Sequence, residues 1–353
     1  MLMRRTLPFL LTLLLCLGAA GCTGAPQDSN VNAPADSNAG VNDTDDTAGT
    51  SDDAQAETTF PYTFTDSTGA EVTLTAPPER VAVLFSSYGE IWTDAGGDIA
   101  ITIGECVERG FAAEGTSLVD DGAGKSIDME LLLSYEPDFV IGSADIEAQA
   151  EACLTLQEAG VPAAAFQVET IDQYLDMLKI CTDITGNTQA WETCGVAVKE
   201  QADAVLAAVE EYLAGGAETQ NILFIRAGSQ YSSTKAKTAK DNFVCVMLGE
   251  LGAYNIADNA PVLLDGLSLE EILMEDPDYI FLTAMGSQEA SEAYIDDLFA
   301  QDGWRQLTAV AEGNYQFLPR EMFHFKPNAR WGDAYAYLAQ LLYPDLTLSC
   351  LVP

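Results

Sequence analysis

The 353-residue sequence contains a single histidine, His324. That argues against zinc and manganese sites, which recruit several imidazoles. No Cys-x-x-Cys pair and no zinc-type Cys/His spacing occurs either. No Gly-x-Ser-x-Gly occurs, so nothing suggests an α/β-hydrolase nucleophile. Basic side chains are few: 15 Lys and Arg stand against 55 Asp and Glu, a formal charge of −40. So acidic a surface repels phosphate backbones and excludes nucleic acid as a partner. Beyond the N-terminal segment no apolar run is long enough to span a bilayer.

What is present begins at the N-terminus. Arg4 and Arg5 precede an apolar stretch from Leu7 to Leu17, followed by Gly18-Ala19-Ala20-Gly21-Cys22. A basic start, a short apolar core and a small-residue site describe a secretory signal over 1–22. A cysteine directly after Gly21 makes it a lipoprotein signal, with Cys22 as the lipid-anchored residue. An ordinary signal peptide with a chance cysteine is the alternative. Two acyl chains on Cys22 suffice for stable anchoring at the extracytoplasmic face of the cell membrane. Residues 23–58 lack aromatics, Leu and Ile and are rich in Asp, Ser, Thr, Asn, Ala and Gly. Such a segment cannot bury enough apolar surface to order itself, and reads as a disordered tether. Six cysteines follow Cys22, in a compartment where disulfides are permitted. Six allow 15 pairings, among which sequence does not choose; free buried thiols are the alternative.

The remaining body is long enough for two lobes. A hairpin is expected from Pro61 to Thr75, around the turn cluster Asp66-Ser67-Thr68-Gly69. Strands are then expected at Val81–Phe85, Phe139–Gly142 and Val161–Phe166, with a helix from Thr170 to Asp183 stopped by Gly186. Residues 188–214 carry Trp191, Cys194, Val198, Ala202, Val205, Val209 and Leu213 at helical spacing. They predict one helix of about 40 Å. The strand–helix alternation restarts at Asn221–Ile225. The fold class expected is α/β: two Rossmann-like lobes, 59–187 and 215–353, joined by a long inter-lobe helix, with a ligand cleft between them.

An internal repeat reinforces this organisation. Asp128-Met129-Glu130-Leu131-Leu132-Leu133 leads to Pro137-Asp138-Phe139-Val140-Ile141. Ser268-Leu269-Glu270-Glu271-Ile272-Leu273 leads to Pro277-Asp278-Tyr279-Ile280-Phe281, 140 residues later. Asp128 and Ser268 are N-cap types, and Ser268 with Glu271 has the form of a capping box. Met129, Leu132, Leu133 and Leu269, Ile272, Leu273 are expected to face the core.

From about residue 60 to 345 the chain resembles the iron-complex and cobalamin class of ABC-transporter substrate-binding lipoproteins. The resemblance rests on the segment ending at Cys22, Pro77-Pro78-Glu79-Arg80-Val81, the two Glu…Pro-Asp blocks, the long helix and Gly252–Asp258. It implies a non-enzymatic, monomeric receptor without an intrinsic cofactor. Such a receptor passes a small metal chelate, of iron–siderophore, haem or cobalamin type, to an ABC permease and its ATPase. It also implies that Glu130 and Glu270, one per lobe, dock onto permease arginines. Both also fit the plain role of acids favouring a helix dipole. A chelatase-like enzyme and a surface receptor without transport are the rival readings.

Ligands in open α/β sheets gather at the carboxyl ends of strands. That selects Ser86, Ser87, Tyr88, Ser143 and Asp145 in the first lobe, the serines being equally suited to helix capping. In the second lobe it selects Arg226, Tyr231, Met285, Arg320 and His324. His324 is placed in a loop, either as a ligand to a haem iron or cobalt or as a packed residue. Eight basic residues lie beyond position 225, with Arg226, Lys235, Lys237 and Lys240 in one cluster and Arg320, Lys326 and Arg330 in another. They are either solvated loops or a positive region for an anionic ligand.

Overall fold

In both halves of the repeat an aspartate pins two neighbouring strands together at their start. The computed structural model describes residues 58–121 and 126–348; Cys22, the leader, nearly all of the tether and Cys350 lie outside them. Asp138 accepts the backbone N–H groups of Glu79 (2.7 Å) and Arg80 (2.8 Å). Asp278 accepts that of Asn221 at 2.8 Å. The preceding residues, Glu136 and Asp276, are both left-handed (φ 50° and 39°). Each helix thus ends on one strained residue, and the proline that follows prevents its continuation.

The strands are β1 (Tyr62–Thr65), β2 (Glu71–Leu74), β3 (Val81–Val83), β4 (Ile101–Thr102), β5 (Ser117–Leu118), β6 (Phe139–Ser143) and β7 (Ala163–Phe166) in the first half. In the second half they are β8 (Asn221–Ala227), β9 (Lys235–Ala236), β10 (Tyr254–Asn255), β11 (Tyr279–Ala284) and β12 (Tyr315–Phe317). The N-terminal lobe holds a parallel sheet ordered β5-β4-β3-β6-β7. The C-terminal lobe holds β10-β8-β11-β12, also parallel, with β9 antiparallel on the free end of the β8 edge. In each sheet the chain first moves outward one way and then the other. The reversal falls between β3 and β6 in one lobe and between β8 and β11 in the other. It opens a crevice at the carboxyl ends of those strands.

The hairpin β1–β2 is docked by Asp66, which is 6% exposed. Its carboxylate accepts Thr68 N–H, Thr68 O–H and Ala70 N–H within the turn, and Ala165 N–H of β7 across the sheet edge. The helix Ile171–Thr185 starts at Thr170, whose hydroxyl accepts Gln173 N–H, and stops at Gly186 with φ 74°. Residues 188–214 are helical throughout but not uniformly α: Trp191–Val196 form a π turn before the α-helix Ala197–Ala214. Tyr174 O–H donates to the Cys194 carbonyl within that turn, at 2.8 Å.

The helix Ala197–Ala214 buries Val198, Ala202, Val205 and Val209 against the helix Trp331–Leu342, which contributes Trp331, Ala334, Tyr335, Leu338 and Leu342. Gly332 makes the close approach possible, since a β-carbon there would lie 2.4 Å from the Gln201 amide oxygen. The five described cysteines, Cys106, Cys153, Cys181, Cys194 and Cys245, are free thiols. Burial raises all five, Cys106 to about 11 and Cys153 to about 12, so none carries thiolate reactivity near neutral pH. Among the described residues no helix is long and apolar enough to cross a membrane.

Two expectations for the repeat need correction. Ser268 makes no side-chain cap; its N–H donates to Gly266 O, whereas Asp128 does cap, accepting Leu131 N–H at 2.9 Å. Leu132 and Ile272 are fully buried, but Leu133 and Leu273 are 42% and 37% exposed. In so short a helix one stripe suffices to cover the sheet, and the next position turns outward.

Candidate ligand cleft between the lobes

The helix Ser86–Asp94 follows β3 directly and carries Glu90, a carboxylate 5% exposed. A charge buried this far needs several partners. Three reach it. Arg330 Nη1 donates to one oxygen at 2.6 Å, and Arg109 Nη2 (3.2 Å) and Asn328 Nδ2 (2.9 Å) donate to the other. Asn328 and Arg330 belong to the C-terminal lobe, so Glu90 ties the lobes together. Asn328 Nδ2 also donates to Ser87 O at 2.8 Å, and Lys326 N–H to Ser87 Oγ at 3.3 Å. Asn328 holds this position in the left-handed region, φ 53°. Lys326 adds an ion pair to Glu169 at 2.5 Å.

Arg109, in the loop after the short helix Gly104–Glu108, lies beside this tie with its side chain 8% exposed. It donates to Ser86 Oγ at 3.1 Å and weakly to Ser87 Oγ at 3.4 Å. Its guanidinium lies over the Phe325 ring at 3.8 Å and 3.8 Å from the exposed Glu321, both in the other lobe. Its Nε is buried without a hydrogen-bond partner. Burial lowers the Arg109 pKa and the surrounding glutamates oppose that, leaving a firm cation. Arg320 covers Phe325 as well, 5.0 Å from the ring centroid, and donates to Gly286 O at 3.2 Å.

Arg226 stands near the end of β8, half-buried. Its guanidinium makes no hydrogen bond or ion pair among the described residues, and only the field of Asp241 offsets its desolvation. His324 lies within the field of all three arginines. It is the C-terminal cap of the short helix Arg320–Phe323 and not a free loop residue, because its N–H closes the turn onto Arg320 O. Desolvation first, then Arg320, Arg226 and Arg109, push its imidazole down to about 4, so it is neutral at pH 7. Folding that excludes a proton the unfolded chain would take costs stability below the unfolded value of about 6.5. Compared with His324→Gln, the wild type is therefore expected to lose on the order of 2–3 kcal/mol as pH falls from about 6.5 to 4. Urea midpoints measured across that range check this; parallel profiles for the two proteins would refute it.

The structure brings together Ser86, Ser87, Arg226, Arg320 and His324 of the sequence-selected residues. Ser86 and Ser87 do not cap: Phe85 is the N-cap position, and the serine hydroxyls serve Arg109 and Glu105 instead. Tyr88 is wholly buried in the N-terminal core, edge-on to Phe85 and Phe166, with its hydroxyl donating to Phe166 O. Ser143 is buried, its hydroxyl accepting Asp145 N–H, while Asp145 is exposed and accepts from Gln167. Tyr231 and Met285 are 55% and 39% exposed in the loops after β8 and β11. The two basic clusters divide. Lys237 pairs with Asp241, while Lys235 and Lys240 are exposed; Lys326 and Arg330 are committed to the lobe tie. Arg226 and Arg320 remain, and Arg109 and Glu90 join them without having been singled out by sequence. Among the described residues no group of three or more His, Cys, Asp or Glu is placed to hold a metal ion.

Two parallel α/β lobes that meet at their strand ends through polar and cationic side chains have the architecture of a solute-binding protein. The periplasmic binding protein family matches residues 81–322, and the chain belongs to it. The Bacillus subtilis protein YvrC, named an uncharacterized ABC transporter substrate-binding lipoprotein, is 23% identical over 288 residues, 81% of this chain and 87% of its own. A periplasmic solute binding protein of Veillonella parvula superposes with a TM-score of 0.60 at 19% identity, covering 81% of this chain and 87% of that one. The haem-binding RhuT of Roseiflexus gives 0.58 at 20% identity (76% and 99% covered). Staphylococcus aureus SirA, complexed with staphyloferrin B, gives 0.58 at 16% identity (80% and 97% covered).

Proposed function

We propose that this protein is an extracytoplasmic receptor, anchored through Cys22 and the 23–58 tether, that captures an anionic metal chelate for an ABC importer. The ligand class is that of iron–siderophore or haem complexes, whose free carboxylates supply the negative charge. The observation that carries this is that Arg109 of one lobe and Arg320 of the other both lie over the Phe325 ring, with the half-buried Arg226 guanidinium left without an acceptor, in a chain with formal charge −40. A half-buried guanidinium without a hydrogen bond, as at Arg226, has donors to give to a carboxylate. The names of RhuT and SirA, which bind haem and a siderophore, support the ligand class. Glu130 and Glu270, both exposed in the first turns of matched helices, are the permease-docking residues of this reading.

Titration with haemin, cobalamins and several ferric siderophores, followed by tryptophan fluorescence, identifies the ligand. Trp331 is buried next to Arg330 of the lobe tie and reports on it. Calorimetry with that ligand is then expected to show Arg226→Ala weakening binding by roughly 1.5–3 kcal/mol, the worth of a hydrogen bond to a charged group. That is about tenfold or more in affinity, with Arg320→Ala second in effect. Wild-type affinity in both variants would sink the anionic-ligand reading.

A further inference from the structure

Four residue identities hold between the aligned blocks of the repeat: Glu130 with Glu270, Leu133 with Leu273, Pro137 with Pro277, and Asp138 with Asp278. The fold accounts for two of them. Both prolines are buried behind a left-handed residue, and both aspartates pin neighbouring strands. It does not account for the other two. Among the described residues neither the Glu130 nor the Glu270 carboxylate makes a hydrogen bond or ion pair within the chain. Leu133 and Leu273 are 42% and 37% exposed and belong to none of the apolar clusters.

A glutamate and a leucine three positions apart share one helix face. The helices Met129–Ser134 and Leu269–Glu275 each lead into the start of a parallel strand, so they occupy matched places in the two lobes. Each lobe therefore presents the same exposed pair, an acid and an apolar knob, on its outer surface. A single exposed leucine needs no explanation. The same leucine beside the same unpaired acid in both lobes is explained by a partner that is itself duplicated.

We propose that Leu133 and Leu273 are the apolar halves of two equivalent docking footprints, each packing against the importer beside the contact made by Glu130 or Glu270. This rests on the docking role given above and adds its apolar half: a socket beside each cation, in which the leucine excludes water from the ion pair. Met274, 75% exposed beside Leu273, enlarges the C-terminal footprint.

The test measures docking of the ligand-free protein to the importer complex in nanodiscs. Leu133→Ser with Leu273→Ser is expected to weaken docking about tenfold or more. Leu133→Met with Leu273→Met should stay within about twofold, since Met fills the same volume. Thermal midpoints should stay at the wild-type value in both, because the positions are exposed. Docking of the double serine variant within about twofold of wild type overturns the proposal. Glu130→Arg with Glu270→Arg, run in parallel, separates the two ideas. If it alone abolishes docking, the interface is ionic and the leucines play no part. If it alone docks normally, the ionic role fails and the leucines remain as the contact.

Discussion

Glu90→Ala is expected to reduce the unfolding free energy by about 3 kcal/mol, at the low end of the range for breaking a buried ion pair. The side chain of Glu90 is 6% exposed and that of Arg109 is 8% exposed, so the Arg109 guanidinium would be left in a dry site with serine hydroxyls, the Phe111 and Phe325 rings and only the longer pairing to exposed Glu321 at 3.8 Å. Arg330, 35% exposed, can turn to solvent, and this keeps the loss from the upper end. Asn328 would lose one of its two acceptors, and with it some of the restraint that keeps it at a positive φ. For a chain of this size the thermal midpoint should fall by roughly 6–10 °C. Glu90→Gln, which keeps the shape and one acceptor, should cost less. Urea unfolding of the three proteins checks this, and a Glu90→Ala midpoint matching wild type would mean that the lobe tie contributes nothing.

Glu130→Arg combined with Glu270→Arg should abolish ligand uptake into cells while ligand affinity stays within about threefold, because reversed charges oppose a complementary surface and both positions lie outside the crevice. The outcome separates docking from a dipole role. As first-turn acids each contributes a few tenths to about 1 kcal/mol to its helix, so in that case only stability would shift. Uptake at the wild-type rate by the double variant, with binding intact, would remove both residues from the docking surface.

How far each feature was legible depended on whether its cause is local. Val81, Phe139 and Asn221 open strands that are buried on both faces, and the uninterrupted apolar runs announce them. Thr170 and Gly186 bound their helix by their own chemistry. The two-residue strands β4 and β5 have no periodicity to detect, and only pairing, β4 with β3 and β5 with β4, makes them strands. The π turn at Trp191–Val196 preserves a helical spacing and so left no mark. Arg226 and Arg320 were legible as charges just beyond strands. Arg109 and Glu90 were not. Arg109 follows a five-residue helix in an unremarkable acidic stretch, and only Phe325, more than two hundred positions away, reveals its place. Glu90 lies on a helix where an acid ordinarily faces water; Asn328 and Arg330, from the other half of the chain, bury it.

The placement of three arginines inside so acidic a body also bears on how fast cargo arrives. At physiological salt the field of the outer carboxylates decays over about 8 Å, so an approaching anion meets repulsion before any guanidinium. Association is therefore slow at low ionic strength and quickens as salt screens the exterior, the reverse of electrostatic steering. Once inside, an anionic cargo of the proposed class is held by short contacts that salt reaches poorly. Capture and retention thus answer to ionic strength in different ways, and residence time, more than encounter rate, sets how selectively the cleft fills.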